Sequence, residues 1–135
     1  MDALKLLQSA ASLYEAHGQM PNSLELAFLG DAVYTMYVRF RLAPAGGRVR
    51  DAHRAASGVV CAHAQAEALT RIEGLLTGEE LDVARRARNC AQTPSKNADA
   101  AEYHRATALE ALIGYLCIKG KTERADELIR AALGI

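Results

Sequence analysis

Residues 23–42, SLELAFLGDAVYTMYVRFRL, and residues 99–118, DAAEYHRATALEALIGYLCI, are each apolar on nearly every face of a helix, and their reading decides the fold. Neither stretch alternates with the period of a strand. Asn22 followed by Glu25, and Asp99 followed by Glu102, place a capping side chain three residues before an acid, the signature of a helix start. Pro44, Gly46 and Gly47 stop the first helix, and Gly120 stops the second. A helix apolar all round belongs at the centre of a bundle.

Working outward, Leu4, Leu7, Ala11 and Tyr14 mark an amphipathic helix over residues 2–17, with Asp2 able to cap its start and Gly18 its end. Residues 48–73 read as one broken helix or two consecutive ones, with Gly58 as the expected break. Thr77 with Glu80 opens a helix to about Asn89, the stretch Ala91–Asn97 is a loop, and Thr122–Leu133 forms a last short helix. No repeat and no low-complexity segment interrupts the chain. The expectation is an all-α single domain over residues 1–135, a bundle of six or seven helices.

Composition agrees with this reading. The chain has 135 residues, 50% hydrophobic and 24% charged, enough to bury a core without disulfide or metal staples. Five Tyr, two Phe and no Trp leave few aromatic residues for sheets. Sixteen basic and sixteen acidic residues balance to zero, so any polyanion must be held by local clusters rather than by overall charge. Three cysteines, Cys61, Cys90 and Cys117, without paired spacing, and an N-terminus without a signal pattern, point to the reducing cytosol. The longest apolar stretches are too short and too interrupted to span a bilayer.

The chemistry concentrates in the two central helices. Asp31 lies among Phe28, Leu29, Ala32 and Val33, and Glu110 among Ala106, Leu109, Ile113 and Gly114. An unpaired carboxylate in such surroundings costs several kcal/mol, on the order set by charge burial, unless a cation, a donor or water compensates it. A salt bridge accounts for either acid alone. Two lone acids on two central helices favour one shared divalent cation, Mg²⁺ with Mn²⁺ as substitute, because hard oxygen ligands with open positions also take up phosphate oxygens.

Basic residues cluster despite the neutral total: Arg39, Arg41, Arg48, Arg50 and Arg54 in one region, Arg85, Arg86, Arg88 and Lys96 in another. Beside metal-binding acids such clusters suit a phosphate ester backbone. His53, His63, His104, Cys61 and Cys90 lack the spacing of a zinc site and read as core cysteines and surface histidines. Tyr34, Tyr37, Tyr103 and Tyr115 read as core packing with hydroxyls at its edge.

Leu26-Ala-Phe-Leu-Gly-Asp-Ala-Val-Tyr34 resembles the signature of the ribonuclease III catalytic domain, and Ala106-Thr-Ala-Leu-Glu-Ala-Leu-Ile-Gly-Tyr115 resembles that family's C-terminal catalytic helix. Their order and separation, with Thr93-Pro-Ser-Lys-Asn-Ala-Asp99 before Tyr103, are similar to the mini-ribonuclease III branch, which consists of the catalytic domain alone. The resemblance runs from about Leu24 to about Ile129. It implies a cytoplasmic all-α homodimer that cleaves double-stranded RNA by Mg²⁺-dependent hydrolysis, leaving 5′ phosphate and 3′ hydroxyl. It also implies maturation of the ends of the large-subunit (23S) ribosomal RNA precursor, with a ribosomal protein as a further partner that presents the substrate. It makes Asp31 and Glu110 the catalytic and metal-binding acids. At the places of the family's two further acids stand Ala27 and Thr107, departures that the mini branch shares.

The expected RNA contacts are Lys96, Arg85, Arg86 and Arg88, with Arg48 and Arg50; Glu67 reads as a solvent-facing acid. Two other classes compete. An all-α Mg²⁺-dependent nucleotide pyrophosphohydrolase would gather several acids per helix, and a non-catalytic helical dimer or double-stranded RNA-binding module would have no need of both acids.

Overall fold

Helical periodicity and the caps translate directly into chain order. The computed structural model describes residues 3–15, 19–43, 47–90 and 99–135. Among the described residues seven α-helices follow one another: α1 Ala3–Glu15, α2 Ser23–Leu42, α3 Val49–Val60, α4 Ala62–Ile72, α5 Gly78–Cys90, α6 Ala100–Ile118 and α7 Thr122–Leu133, with a 3-10 turn at Glu73–Leu75. Among the described residues there is no strand. Asp2, Gly18, Pro44, Gly46 and the whole expected loop Ala91–Asn97 with Lys96 lie outside them.

All three N-caps form, and the Thr77–Glu80 pair closes as a reciprocal box. Asn22 Oδ1 accepts from Glu25 N at 2.9 Å and Asp99 Oδ1 from Glu102 N at 3.1 Å. Thr77 and Glu80 bond reciprocally, backbone N–H to side chain, at 2.9 and 3.2 Å. Each cap satisfies donors that a helix start leaves unpaired. Glu80 does more: it is buried at 5% exposure, and both its oxygens accept from Arg124 of α7 at 2.9 and 3.0 Å. That arginine holds the Glu80 carboxyl below the usual carboxylate range and ties the start of α5 to α7. At the end of α6, Gly120 takes φ 75°, and Lys121 N donates to Leu116 O at 2.8 Å, closing a Schellman turn that only glycine enters without strain.

Helix α6 is the axis. From Ala106 to Cys117 every residue except Glu110 is buried, and α2, α4, α5 and α7 pack around it. Helix α2 departs from the expectation of an all-round buried helix. Leu26, Ala27, Gly30, Tyr34 and Val38 are buried, but Phe28 and Phe40 are 79% and 74% exposed. One bundle of this size has only enough elements to cover one face of α2. The break between α3 and α4 falls at Cys61, which is extended (φ −66°, ψ 160°), and not at Gly58. A mid-helix glycine costs only about 1 kcal/mol. The chain bends where α4 must turn to bury Ala68, Leu69 and Ile72 in the core, so tertiary packing sets the break.

Among the cysteines only Cys117 is buried; Cys61 and Cys90 are exposed. Tyr34 is fully buried, while the hydroxyls of Tyr37 and Tyr115 reach Asp126 and Glu79 at the edge of the core.

Candidate active site

The site begins with two glycines. A Cβ added to Gly30 would lie 1.7 Å from the backbone O of Glu110, and one added to Gly114 would lie 2.1 Å from the backbone O of Leu26. Backbone therefore touches backbone where α2 crosses α6. No residue with a side chain permits that approach. The sequence reading passed over both glycines, although an interior helical glycine, about 1 kcal/mol worse than alanine, signals a packing role.

Asp31 follows Gly30 directly, and Glu110 precedes Gly114 by one turn. The crossing thus brings the two acids together, with the Glu110 side chain in hydrogen-bond contact with Asp31. Asp31 is exposed and Glu110 half-buried, so the pair sits at the mouth of the crossing rather than in the core. Neither acid forms an ion pair with Lys, Arg or His among the described residues. Burial pushes the Glu110 carboxyl up to about 9, and the hydrogen bond to Asp31 and that residue's charge push in the same direction. Two carboxylates that meet with no ion-paired cation among the described residues can share a proton or bind a metal ion. The donor set, two hard oxygen groups open to solvent on one side, fits a divalent ion of the Mg²⁺ or Mn²⁺ kind.

A sign follows for stability. Without metal, folded Glu110 keeps a proton that the unfolded chain releases between about 4.5 and about 9, so stability is present at low pH and is lost as pH rises through that window. Glu110→Gln removes the burden. At pH 8 in chelator the variant should resist urea better than the parent by on the order of 1–3 kcal/mol. Where the pair holds a divalent ion, millimolar Mg²⁺ should reverse the order, because the variant lacks one of the two ligands. Urea melts with and without chelator read both results.

The basic residues do not form one patch. Arg85 and Arg88 line a cleft between α4, α5 and α6 together with Arg105, which the sequence reading did not single out. Arg86 lies on another side of α5, near Tyr115. Arg48 lines a separate cavity with Arg39 and His53 and pairs with Asp51 at 3.4 Å; Arg50 does not line that cavity. Lys96 lies outside the described residues. Glu67 is solvent-facing, as read, and bonds His63 at 3.0 Å, while His63 also bridges to Glu102 of α6 at 2.7 Å. Among the described residues no group of three or more His, Cys, Asp or Glu side chains is arranged to hold a metal.

Comparison with known proteins adds a second line. The Ribonuclease III domain family matches residues 24–121. The chain is similar to the Mini-ribonuclease 3 of Brevibacillus brevis, 46% identical over 118 residues, covering 86% of this chain and 88% of that protein. It is likewise similar to the Mini-ribonuclease 3 of Symbiobacterium thermophilum, 48% identical over 111 residues, covering 81% and 85%. A crystal structure of a Fusobacterium nucleatum protein superimposes with TM-score 0.77 at 30% identity, covering 84% of this chain and 92% of that one.

Proposed function

Because the chain belongs to the ribonuclease III domain family, and is thus an endoribonuclease of a family that acts on double-stranded RNA, we propose that Asp31 and Glu110 are its catalytic and metal-binding pair. The observation that carries this reading is the meeting of the two acids at the Gly30–Gly114 crossing with no ion-paired cation among the described residues. Mg²⁺, with Mn²⁺ as substitute, is the ion. When bound it polarises the scissile phosphate and acidifies water, giving 5′ phosphate and 3′ hydroxyl products. Asp31 and Glu110 would hold the ion, and the chain's own part is to bring these two carboxylates together at the crossing and to release to solvent the proton that burial keeps on Glu110.

The substrate we propose is the paired region at the ends of the large-subunit (23S) ribosomal RNA precursor, presented with the help of a ribosomal protein in the cytoplasm, and acted on by residues 1–135 as one catalytic domain. A gel assay tests this. Paired RNA carrying those ends should be cut at discrete sites with Mg²⁺ and remain intact in chelator; cutting independent of added metal, or inert RNA, removes the reading.

Double-stranded RNA is gripped through phosphates and 2′-hydroxyls, and here Arg85, Arg86, Arg88, Lys96, Arg48 and Arg50 supply the charge. Replacing Arg85 and Arg88 by Gln should weaken binding and lower the slope of log Kd against log salt by about one to two charges. Anisotropy titrations at several salt concentrations measure the slope, and an unchanged slope removes these two residues from the grip.

The working unit we propose is a homodimer. Phe28, Ala32, Met36 and Phe40 follow one another at four-residue spacing along α2, and the two Phe side chains are mostly exposed. Such a stripe is self-complementary about a two-fold axis and would place one catalytic pair on each RNA strand. Sedimentation at micromolar concentration should give the mass of two chains, and Phe28→Asp the mass of one. A parent sedimenting as one chain removes the dimer.

A further inference from the structure

Beside the arginines of α5 lies a cleft that duplex recognition does not explain. Its inner part, about 240 Å³, has a floor of Leu69, Leu76, Leu81, Ala84 and Ala108. Three guanidinium groups, Arg85, Arg88 and Arg105, stand around that floor, with Glu73 and Asp82 among the walls. Arg88 and Arg105 also line a second, more open cleft with Asn89, Ala101 and His104, which forms the outer part.

Charge is arranged to leave donors free. Arg105 is fixed through one terminal nitrogen, which donates to Thr70 Oγ1 and pairs with Glu73 Oε1, both at 2.7 Å. Its other terminal nitrogen and Nε have no partner among the described residues. Arg85 pairs with Asp82 at 3.2 Å, and Arg88 has no carboxylate partner among the described residues. The three cations therefore exceed the two acids by one charge. Leu81 on the floor stays 46% exposed, an apolar surface next to unspent guanidinium donors.

A phosphate backbone lying across a surface gains nothing from a recessed leucine floor. The flat face of an unstacked base does, since bases splayed out of a helix pack on apolar and guanidinium planes, while their phosphates take the free N–H groups. We infer that this cleft binds one unpaired nucleotide, its base on the floor around Leu81 and its ribose phosphate in the outer part between Arg88, Arg105 and His104. The inference rests on the RNA reading above and extends it from paired RNA to an unpaired residue flanking the duplex. A free nucleoside monophosphate carries the same chemistry and is the alternative source of the ligand.

The test uses the full chain in chelator, so that RNA is bound and not cut. Fluorescein-labelled duplex RNA, blunt or extended by three unpaired nucleotides, is titrated by anisotropy against the parent, Leu81→Glu and Arg105→Gln, each checked for folding by its thermal melt. The extension should tighten binding to the parent about fivefold or more, and in both variants the ratio of the two affinities should fall to within about twofold of one. Adenosine 5′-monophosphate at millimolar concentration separates the sources. If it erases the advantage, the cleft takes free nucleotides as well; if the advantage persists, the cleft supports an unpaired residue carried in by the RNA. Equal affinity of the parent for both duplexes, or an advantage that survives both substitutions, overturns the inference and leaves the duplex reading intact. Failure of either duplex to bind overturns the duplex reading, and this one with it.

Discussion

Asp31→Asn and Glu110→Gln should each lower the rate of paired-RNA cleavage by about a thousandfold or more, while the dissociation constant for that RNA in chelator changes by no more than about threefold. The split follows from where these acids sit. They meet at the α2–α6 crossing and neither lines the arginine cleft, so in the proposed reading they serve the reacting centre and not the RNA backbone. With the pair as metal ligands, as proposed, losing one carboxylate would remove roughly several kcal/mol of Lewis-acid stabilisation from the transition state. Single-turnover cleavage under saturating enzyme isolates that loss from binding. Unfolding offers no escape for the Glu110 variant, which should be the more stable protein in chelator at pH 8. Wild-type turnover in either variant would remove the catalytic pair.

The second large effect concerns the crossing. Gly30→Ala should destabilise the fold by about 3 kcal/mol or more, and Gly114→Ala by a comparable amount. The methyl carbons would lie 1.7 and 2.1 Å from backbone carbonyl oxygens on the facing helix, far inside van der Waals contact and beyond what side-chain rotation can relieve, so the helix axes themselves must part. Parting them also separates Asp31 from Glu110, because one acid adjoins Gly30 and the other owns the carbonyl that its methyl would strike. Cleavage should therefore fall even in the fraction that stays folded. Gly58→Ala is the control: its Cβ meets nothing within 4 Å inside α3, and helix propensity should add about 0.5–1 kcal/mol of stability. Urea unfolding of the three variants, with cleavage assayed below the transition, separates a general intolerance of alanine from a specific contact.

Within one α5 turn the limits of one-dimensional reading are plain. Arg85, Arg86 and Arg88 look like a single basic cluster when written in a row. On a helix of 3.6 residues per turn adjacent residues diverge by about 100°, so Arg86 leaves its neighbours for the side of Tyr115 while Arg85 and Arg88 share a cleft. Arg105 completes that cleft from α6, a residue whose partners Thr70 and Glu73 lie on segments distant in sequence.

What the amino-acid order determined by itself is local or compositional. The helices and their starts follow from periodicity and from Asn22–Glu25, Thr77–Glu80 and Asp99–Glu102, because capping acts over three residues and needs no distant partner. The two acids were visible too, since a lone carboxylate in an apolar run is an energetic anomaly before any fold is known. The tertiary structure decided the rest: the bend at Cys61, the bare face of α2, the cleft beside Arg105, and above all the close crossing at Gly30 and Gly114. Distances between helices are set by side chains contributed from both, packed against the whole core, and no local pattern along one helix contains that information.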